Sequence, residues 1–354
     1  MNTNLKTVVI RADASPKIGV GHVMRCMSLG KILSNLGFKI VLACCSETVK
    51  SVGASKITFM EIIEISTKKS STAQAQELFQ LLPNGCGILI CDTYAHGFEF
   101  ESALRGWTDF IVVFDDLAEV THDCDILINS SLGFKASNYN KLVPSSCNLL
   151  LGPRYAPVRS IFSELRKKIV VQKNEIVERI AVSLGGTDPQ NNTEMIVSLI
   201  HKLLPEIFID IYLMPGAIHY KTIEKVTKNW SENIILKEPK SEIAYSLSKA
   251  DLVIGAAGSS VWERCTLGLP SMVIVTADNQ RHIAAGLKRQ HAALVVSENE
   301  LGNKKIMSKL LKNICTDFAF RKRLSIASKN LCDGNGALRI TKKILEYSAI
   351  TTKR

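Results

Sequence analysis

His22 stands behind a glycine-spaced turn, Ile18-Gly19-Val20-Gly21, that follows the first apolar run of the chain, TVVIRAD at 7–13. Val23, Met27, Gly30 and Leu33 then recur at helical spacing, so the turn opens a helix with the histidine at its start. The positive end of the helix dipole favours a neutral ring there, one able to take a proton near neutral pH, although Asp13 pulls the other way. Those are the needs of a general base. A histidine that only caps the turn is the plainer alternative, and a Gly-x-Gly turn alone is a weak signal.

Another group of residues suits an anion. In IGAAGSSVWERCTLGLP at 254–270, Gly255 and Gly258 admit close backbone approach, and Ser259 and Ser260 open a helix whose unpaired amides can hold phosphate. Glu263, one turn further on, can accept hydrogen bonds from both hydroxyls of a ribose, or merely complement the helix dipole. Ser183-Leu184-Gly185-Gly186-Thr187-Asp188 forms a second glycine loop, which either faces the same phosphates or is a plain strand-to-helix turn. Cys91-Asp92-Thr93-Tyr94 ends a buried strand and sets Tyr94 at its carboxyl end, in a site or as a structural tyrosine.

The elements that must position these residues are legible as rhythm. Apolar runs at 7–13, 39–44, 87–92, 109–116 and 126–131 alternate with helical segments, and the rhythm restarts at 179–186, 208–216, 234–238, 252–258, 270–276 and 293–298. Continuous rather than alternating apolar runs point to parallel strands covered on both faces, hence an α/β chain with two doubly wound sheets. Ligands lie beyond the carboxyl ends of such strands, and two sheets facing each other place a site in the cleft between them. We expect a first domain over 1–160, a second over 161–330 and a C-terminal helix over 331–354 that packs back on the first. The charged stretch 159–178 reads as the linker.

Bulk properties narrow the class. A length of 354 residues suits two domains, and with 46% hydrophobic and 22% charged residues neither reads as disordered. No apolar run approaches the ~20 residues of a membrane helix, and the first residues carry no leader, so a cytoplasmic protein is expected. The ten cysteines lack zinc spacing and read as reduced core thiols. The net charge of +11 is concentrated in 303–354, which holds 13 basic and 3 acidic residues. That stretch is a solvated helix face or a surface making weak contact with an anionic membrane. No aromatic residues interleave with the charges, so nucleic acid is not an expected partner. A monomer is expected.

Together RADAS…IGVGHVMRC at 11–26, CDTY at 91–94, SLGGTDPQN at 183–191, GAAGSSVWERCTLGLP at 255–270, ADNQ at 277–280 and DGNGALRI at 333–340 resemble the UDP-sugar hydrolases of pseudaminic acid biosynthesis. Those in turn resemble the GT-B glycosyltransferases that add N-acetylglucosamine to the lipid-linked peptidoglycan precursor. The match is weaker over 45–86. The resemblance implies a GT-B-like fold of two Rossmann-like domains facing across a cleft, and hydrolysis of UDP-2,4-diacetamido-2,4,6-trideoxy-β-L-altropyranose to UDP and the free sugar, with no metal or other cofactor. It makes His22 the base that activates water, with Asp13 orienting it and Tyr94 and Asn279 around the sugar and phosphates. Ser259, Ser260 and Glu263 then hold the nucleotide. Gly19, Gly21, Gly185, Gly186 and Gly258 join the UDP-binding positions, and Met214 contacts uracil or sits in the core.

UDP is a good leaving group whose charge the Ser259 helix start and the glycine loops can stabilise, so water activation is the main remaining demand. Attack on the anomeric carbon from the face opposite UDP inverts configuration. A GT-B transferase with an acceptor in place of water, a sugar-nucleotide 2-epimerase and a non-catalytic UDP-sugar-binding protein remain as alternatives.

Overall fold

The computed structural model describes residues 6–16, 18–53, 57–169, 174–230, 232–239 and 243–351. The chain divides into two compact units, Met1–Val158 with Asn335–Arg354, and Arg159–Gly334.

The first unit runs β1 (Thr7–Ala12), α1 (Gly21–Asn35), β2 (Lys39–Cys44), α2 (Ser46–Val52), β3 (Glu61–Glu64), α3 (Ser71–Leu81), β4 (Cys86–Asp92), α4 (Phe98–Ala103), β5 (Thr108–Phe114), β6 (Ile126–Asn129) and β7 (Asn148–Leu151). Its seven strands form one parallel sheet in the order β3-β2-β1-β4-β5-β6-β7. Alternate residues of β1 feed opposite layers. Val8 and Ile10 pack with Val23, Met27 and Leu33 of α1, while Val9 packs with Phe100, Leu104 and Trp107. That double covering is why the strands read as unbroken apolar runs. Gly30 lets α1 lie close on the sheet, since a Cβ there would stand 3.2 Å from Ile10 Cδ1. The chain moves outward from β1 through β2 to β3, then crosses back to β4 on the other side. The carboxyl ends of β1 and β4 therefore flank a topological switch point.

The second unit runs α5 (Ser160–Arg166), β8 (Arg179–Ser183), α6 (Asn192–Leu203), β9 (Phe208–Tyr212), α7 (Tyr220–Trp230), β10 (Ile234–Lys237), α8 (Ile243–Leu247), β11 (Leu252–Ala256), α9 (Ser260–Leu267), β12 (Ser271–Ile274), α10 (Arg281–Arg289), β13 (Leu294–Val296), α11 (Glu298–Leu301), α12 (Lys304–Thr316) and α13 (Phe318–Leu331). Six parallel strands are ordered β10-β9-β8-β11-β12-β13, with the switch point between β8 and β11. Ile180, Val182, Ile209, Ile211, Ile254 and Met272 build the core with Ile196, Ile200 and Leu311.

The stretch 159–178, expected as a linker, holds a helix. α5 packs on α9 and α8, and Arg166 Nη1 donates to the carbonyls of Thr266 and Cys332, which ties the stretch into the second unit. Residues 170–173 of that stretch lie outside the described residues. The last helix, α14 (Gly336–Thr351), belongs to the first unit, where Ile340 and Ile344 are wholly buried in the α1 layer. Any side chain at Gly336 would collide with the Ala156 backbone. All ten cysteines are free thiols. No helix among the described residues is long and apolar enough to cross a membrane.

Candidate active site

The loop after β1 is closed on itself by Gly19 N donating to Ser15 O at 2.8 Å and Ile18 N to Ser15 Oγ at 3.1 Å, with Gly19 at φ +80. This delivers His22 as the second residue of α1, directly at the β1–β4 switch point. The N-cap of α1 is Val20, which makes no side-chain bond, and the His22 side chain is buried. Its Nδ1 lies 2.6 Å from Asp92 Oδ1 at the carboxyl end of β4. The ring is therefore not a cap.

Arg25, one turn along α1 from His22, grips the same carboxylate. Its Nε donates to Asp92 Oδ2 and its Nη2 to Oδ1, both at 2.6 Å, while Nη1 donates to both oxygens of Asp116 at 2.9 and 2.8 Å. Burial alone would raise the Asp92 pKa, but Arg25 and His22 outweigh it and hold the carboxyl well below its usual range. For Arg25, burial pulls the pKa down and Asp116 with Asp92 raises it well above its ordinary value. An ionised carboxylate accepts only, so Nδ1 of His22 carries the proton of that hydrogen bond. Nε2 is then the basic nitrogen of the neutral ring, and it makes no hydrogen bond to a described residue. Tyr94 stands edge-on to His22, ring centroids 4.8 Å apart, and its hydroxyl donates to Asp116 Oδ2 at 3.2 Å. At 47% exposure Tyr94 is an open wall of the site rather than a buried structural residue.

Asp13 does not orient His22. Its Oδ2 pairs with Arg11 at 2.7 Å and its Oδ1 accepts from Cys45 N at 2.7 Å, so it ties β1 to the start of α2. Asp92 has the place expected of it. Asp92, Arg25 and Asp116 went unread in the sequence; the visible signals were charged Arg25 on the sheet-facing side of an apolar helix and an aspartate closing a fully apolar strand.

The second unit gathers Gly185, Gly186, Met214, Gly258, Ser259, Ser260, Glu263 and Asn279 at the carboxyl ends of its strands. Gly19 and Gly21 lie instead in the first unit, with the His22 loop. The β11 loop leads into α9, and the Gly258 and Ser259 amides make no hydrogen bond to a described residue. The start of α9 thus keeps the donors an anion needs. α6 differs: Asp188, at φ +36, accepts from the Asn192 and Thr193 amides at 3.2 and 2.7 Å, so a carboxylate already occupies that helix start. Gly185 and Gly186 therefore precede a helix start that its own carboxylate already caps. Half-buried Met214 rests on them, since its N donates to Gly186 O and a Cβ on Gly186 would stand 3.1 Å from Met214 Cγ.

Glu263 is not solitary. Arg159 Nε and Nη2 donate to its two oxygens at 2.7 and 3.0 Å, a bidentate clamp that fixes the carboxylate and leaves each oxygen a further lone pair. Burial lowers the Arg159 pKa less than Glu263 raises it. Asn279 lies in the turn Asp278–Gln280 after β12; its neighbour Gln280, held to Thr276, reaches the Gly258 loop, with Nε2 3.8 Å from where a Cβ would sit.

Two Rossmann-like parallel-sheet units, each with its polar loops at the switch point, define the GT-B class of fold. Residues 180–330 match the glycosyltransferase family 28 C-terminal domain. Over 284 residues the chain is 28% identical to the UDP-2,4-diacetamido-2,4,6-trideoxy-beta-L-altropyranose hydrolase of Campylobacter jejuni, covering 80% of this chain and 96% of that one. It is 22% identical over 338 residues to the spore coat polysaccharide biosynthesis protein SpsG of Bacillus subtilis, covering 94% and 96%. The crystal structure of MurG from Acinetobacter baumannii superposes with a TM-score of 0.66 over 96% of this chain and 99% of that one, at 14% identity, a likeness of fold. The resemblance to UDP-sugar hydrolases of pseudaminic acid biosynthesis, carried by the motifs, holds along most of the chain.

Proposed function

We propose that this chain hydrolyses UDP-2,4-diacetamido-2,4,6-trideoxy-β-L-altropyranose to UDP and 2,4-diacetamido-2,4,6-trideoxy-L-altrose, a step of pseudaminic acid biosynthesis, with His22 as the base. The observation that carries the reading is the His22–Asp92 pair, with Nδ1 committed to a fixed carboxylate and Nε2 left to take a proton. His22 Nε2 takes a proton from water while the water oxygen bonds the anomeric carbon, and the bond from that carbon to UDP breaks with its electron pair leaving on UDP. Configuration inverts. General-base help of this kind contributes ~10²–10⁴-fold. Tyr94 lines the sugar side, Asn279 the sugar and phosphates. Gly258, Ser259, Ser260 and Glu263 bind the nucleotide, with Met214 and the Gly185–Gly186 backbone beside it. Charge on the departing UDP meets the amides of the α9 start, so no metal is required in this scheme.

A second reading, a UDP-sugar glycosyltransferase, is favoured by the family 28 domain match at 180–330. Fold does not separate the two. Purified protein incubated with this and other UDP-sugars, without acceptor and with a chelator present, is expected to release UDP and free sugar. Turnover only with an acceptor would replace the hydrolase by the transferase, an isomerised UDP-sugar would point to an epimerase, and binding without turnover to a UDP-sugar-binding protein. Loss of activity to the chelator, restored by a divalent ion, would refute metal independence.

A further inference from the structure

Arg264, on α9, is 2% exposed and sits directly under the Gly255–Ser260 segment, which runs from the end of β11 through the loop to the first residue of α9. Its Nη2 donates to Ala256 O at 2.6 Å and its Nη1 to Ser260 Oγ at 3.2 Å, while its buried Nε has no partner among the described residues. It makes no ion pair with a described residue. The adjacent acid, Glu263, is already clamped by Arg159. Gly255 is shaped around this guanidinium: a Cβ there would stand 2.7 Å from Nη1 and 2.9 Å from Cζ. Burial pushes the Arg264 pKa down to about 10, which still leaves it charged at neutral pH. A buried cation whose nearest acid is already held by another arginine is costly, and one that lies beneath a loop of open amides adds its charge to a place where an anion can sit.

We infer that Arg264 is the buried counter-charge for the phosphates of a nucleoside diphosphate bound on the Gly255–Ser260 segment, and that it positions Ser260 and the loop backbone to receive them. The inference rests on the nucleotide reading given above. It makes Arg264 a positioning residue that acts from behind the loop, through Ser260, the Ala256 carbonyl and its field. Its contribution should scale with ligand phosphate charge and vanish for the bare nucleoside.

Calorimetric titrations with UDP and with uridine test it. For Arg264→Gln we expect UDP affinity to fall by about tenfold or more with uridine affinity within about twofold of the unmodified protein, a collapse of the UDP-to-uridine ratio in line with loss of a charge-assisted contact. Arg264→Lys, which keeps the charge, should retain most of the ratio. Gly255→Ala supplies an independent arm should Arg264→Gln not fold, because the added Cβ displaces the guanidinium without deleting it, and the ratio should again fall. A helix merely loosened would weaken both ligands together, since Glu263 lies on the same helix. Parallel loss, or an unchanged ratio in Arg264→Gln or Gly255→Ala, overturns the inference while leaving the nucleotide site in place. Unmodified protein that binds UDP no better than uridine overturns the phosphate site itself, and the inference with it.

Discussion

At the scale of single residues, the site turns on which atom of His22 holds its proton. Asp92, ionised under the grip of Arg25, fixes a hydrogen on Nδ1 and so leaves Nε2 as the ring nitrogen with a lone pair, the atom that the proposed base would use. His22→Asn should therefore lower turnover by the ~10²–10⁴ of general-base help while UDP affinity, which the proposed function assigns to the other unit, stays nearly unchanged. A variant keeping more than about a tenth of turnover would refute the base assignment. Asp92→Asn keeps the size but offers an amide, which allows the ring the wrong tautomer; kcat should drop by about a hundredfold or more with UDP affinity preserved. The same change has a stability signature. A carboxyl held below its ordinary value of about 4 contributes stability that is full above that value and fades as pH falls toward its folded pKa. In urea unfolding, Asp92→Asn should start lower at pH 7, by roughly 3–5 kcal/mol for a broken buried pair, and lose less than the parent between pH 4 and 3. Equal losses in the two proteins would show that Asp92 is not the linked group. Of this cluster the sequence showed His22 and Tyr94, because a glycine turn and a strand end mark them locally. Asp92, Arg25 and Asp116 matter through contacts spanning 67 and 91 residues, which no local spacing encodes.

At the scale of elements, legibility follows burial. Strands such as β1 and β4 are covered on both faces, so TVVIRA and CGILICD declare themselves as apolar runs. β3 and β7 are four-residue edge strands, EIIE mostly exposed and NLLL half-buried, with neither the long apolar run of a central strand nor a clear alternation to mark them. α5 goes unmarked for a related reason: its seven residues bury little beyond Phe162 and Leu165 and sit amid charges. The two glycine loops of the second unit look alike in sequence and differ in what their helix starts hold. α9 keeps open amides, whereas α6 is capped internally by Asp188. Asp188→Ala should thus lower the melting temperature, at about 1–2 kcal/mol for a lost cap, and leave UDP affinity within about twofold. A large loss of UDP affinity without loss of stability would return α6 to the phosphate site.

At the scale of the whole molecule, the excess charge is less of a unit than its clustering in 303–354 suggests. α12 and α13 belong to the second unit and α14 to the first. Several of the cations are also spent on structure: buried Arg321 ends α12 by donating to Ile314 O and Cys315 O, Lys329 reaches Ile169 O, Arg339 reaches Arg154 O and Lys343 pairs with Glu346. Lys322 and Arg323 are exposed on α13, where they lie over Phe318 and Phe320, and the densest remaining group is on α12, whose Lys304, Lys305, Lys309 and Lys312 are exposed, with 305, 309 and 312 at the spacing of one helix face. At about 1 kcal/mol for each lysine near an anionic surface, that face supports weak adsorption and no more. Vesicles rich in phosphatidylserine should sediment the protein at about 0.01 M salt, where the Debye length is ~30 Å, and release it near 0.15 M, where it is ~8 Å. Replacing Lys305, Lys309 and Lys312 with glutamine should abolish the low-salt sedimentation while UDP-sugar turnover persists. If the unmodified protein stays in the supernatant at 0.01 M salt, the membrane contact is wrong and these lysines are an ordinary solvated helix face.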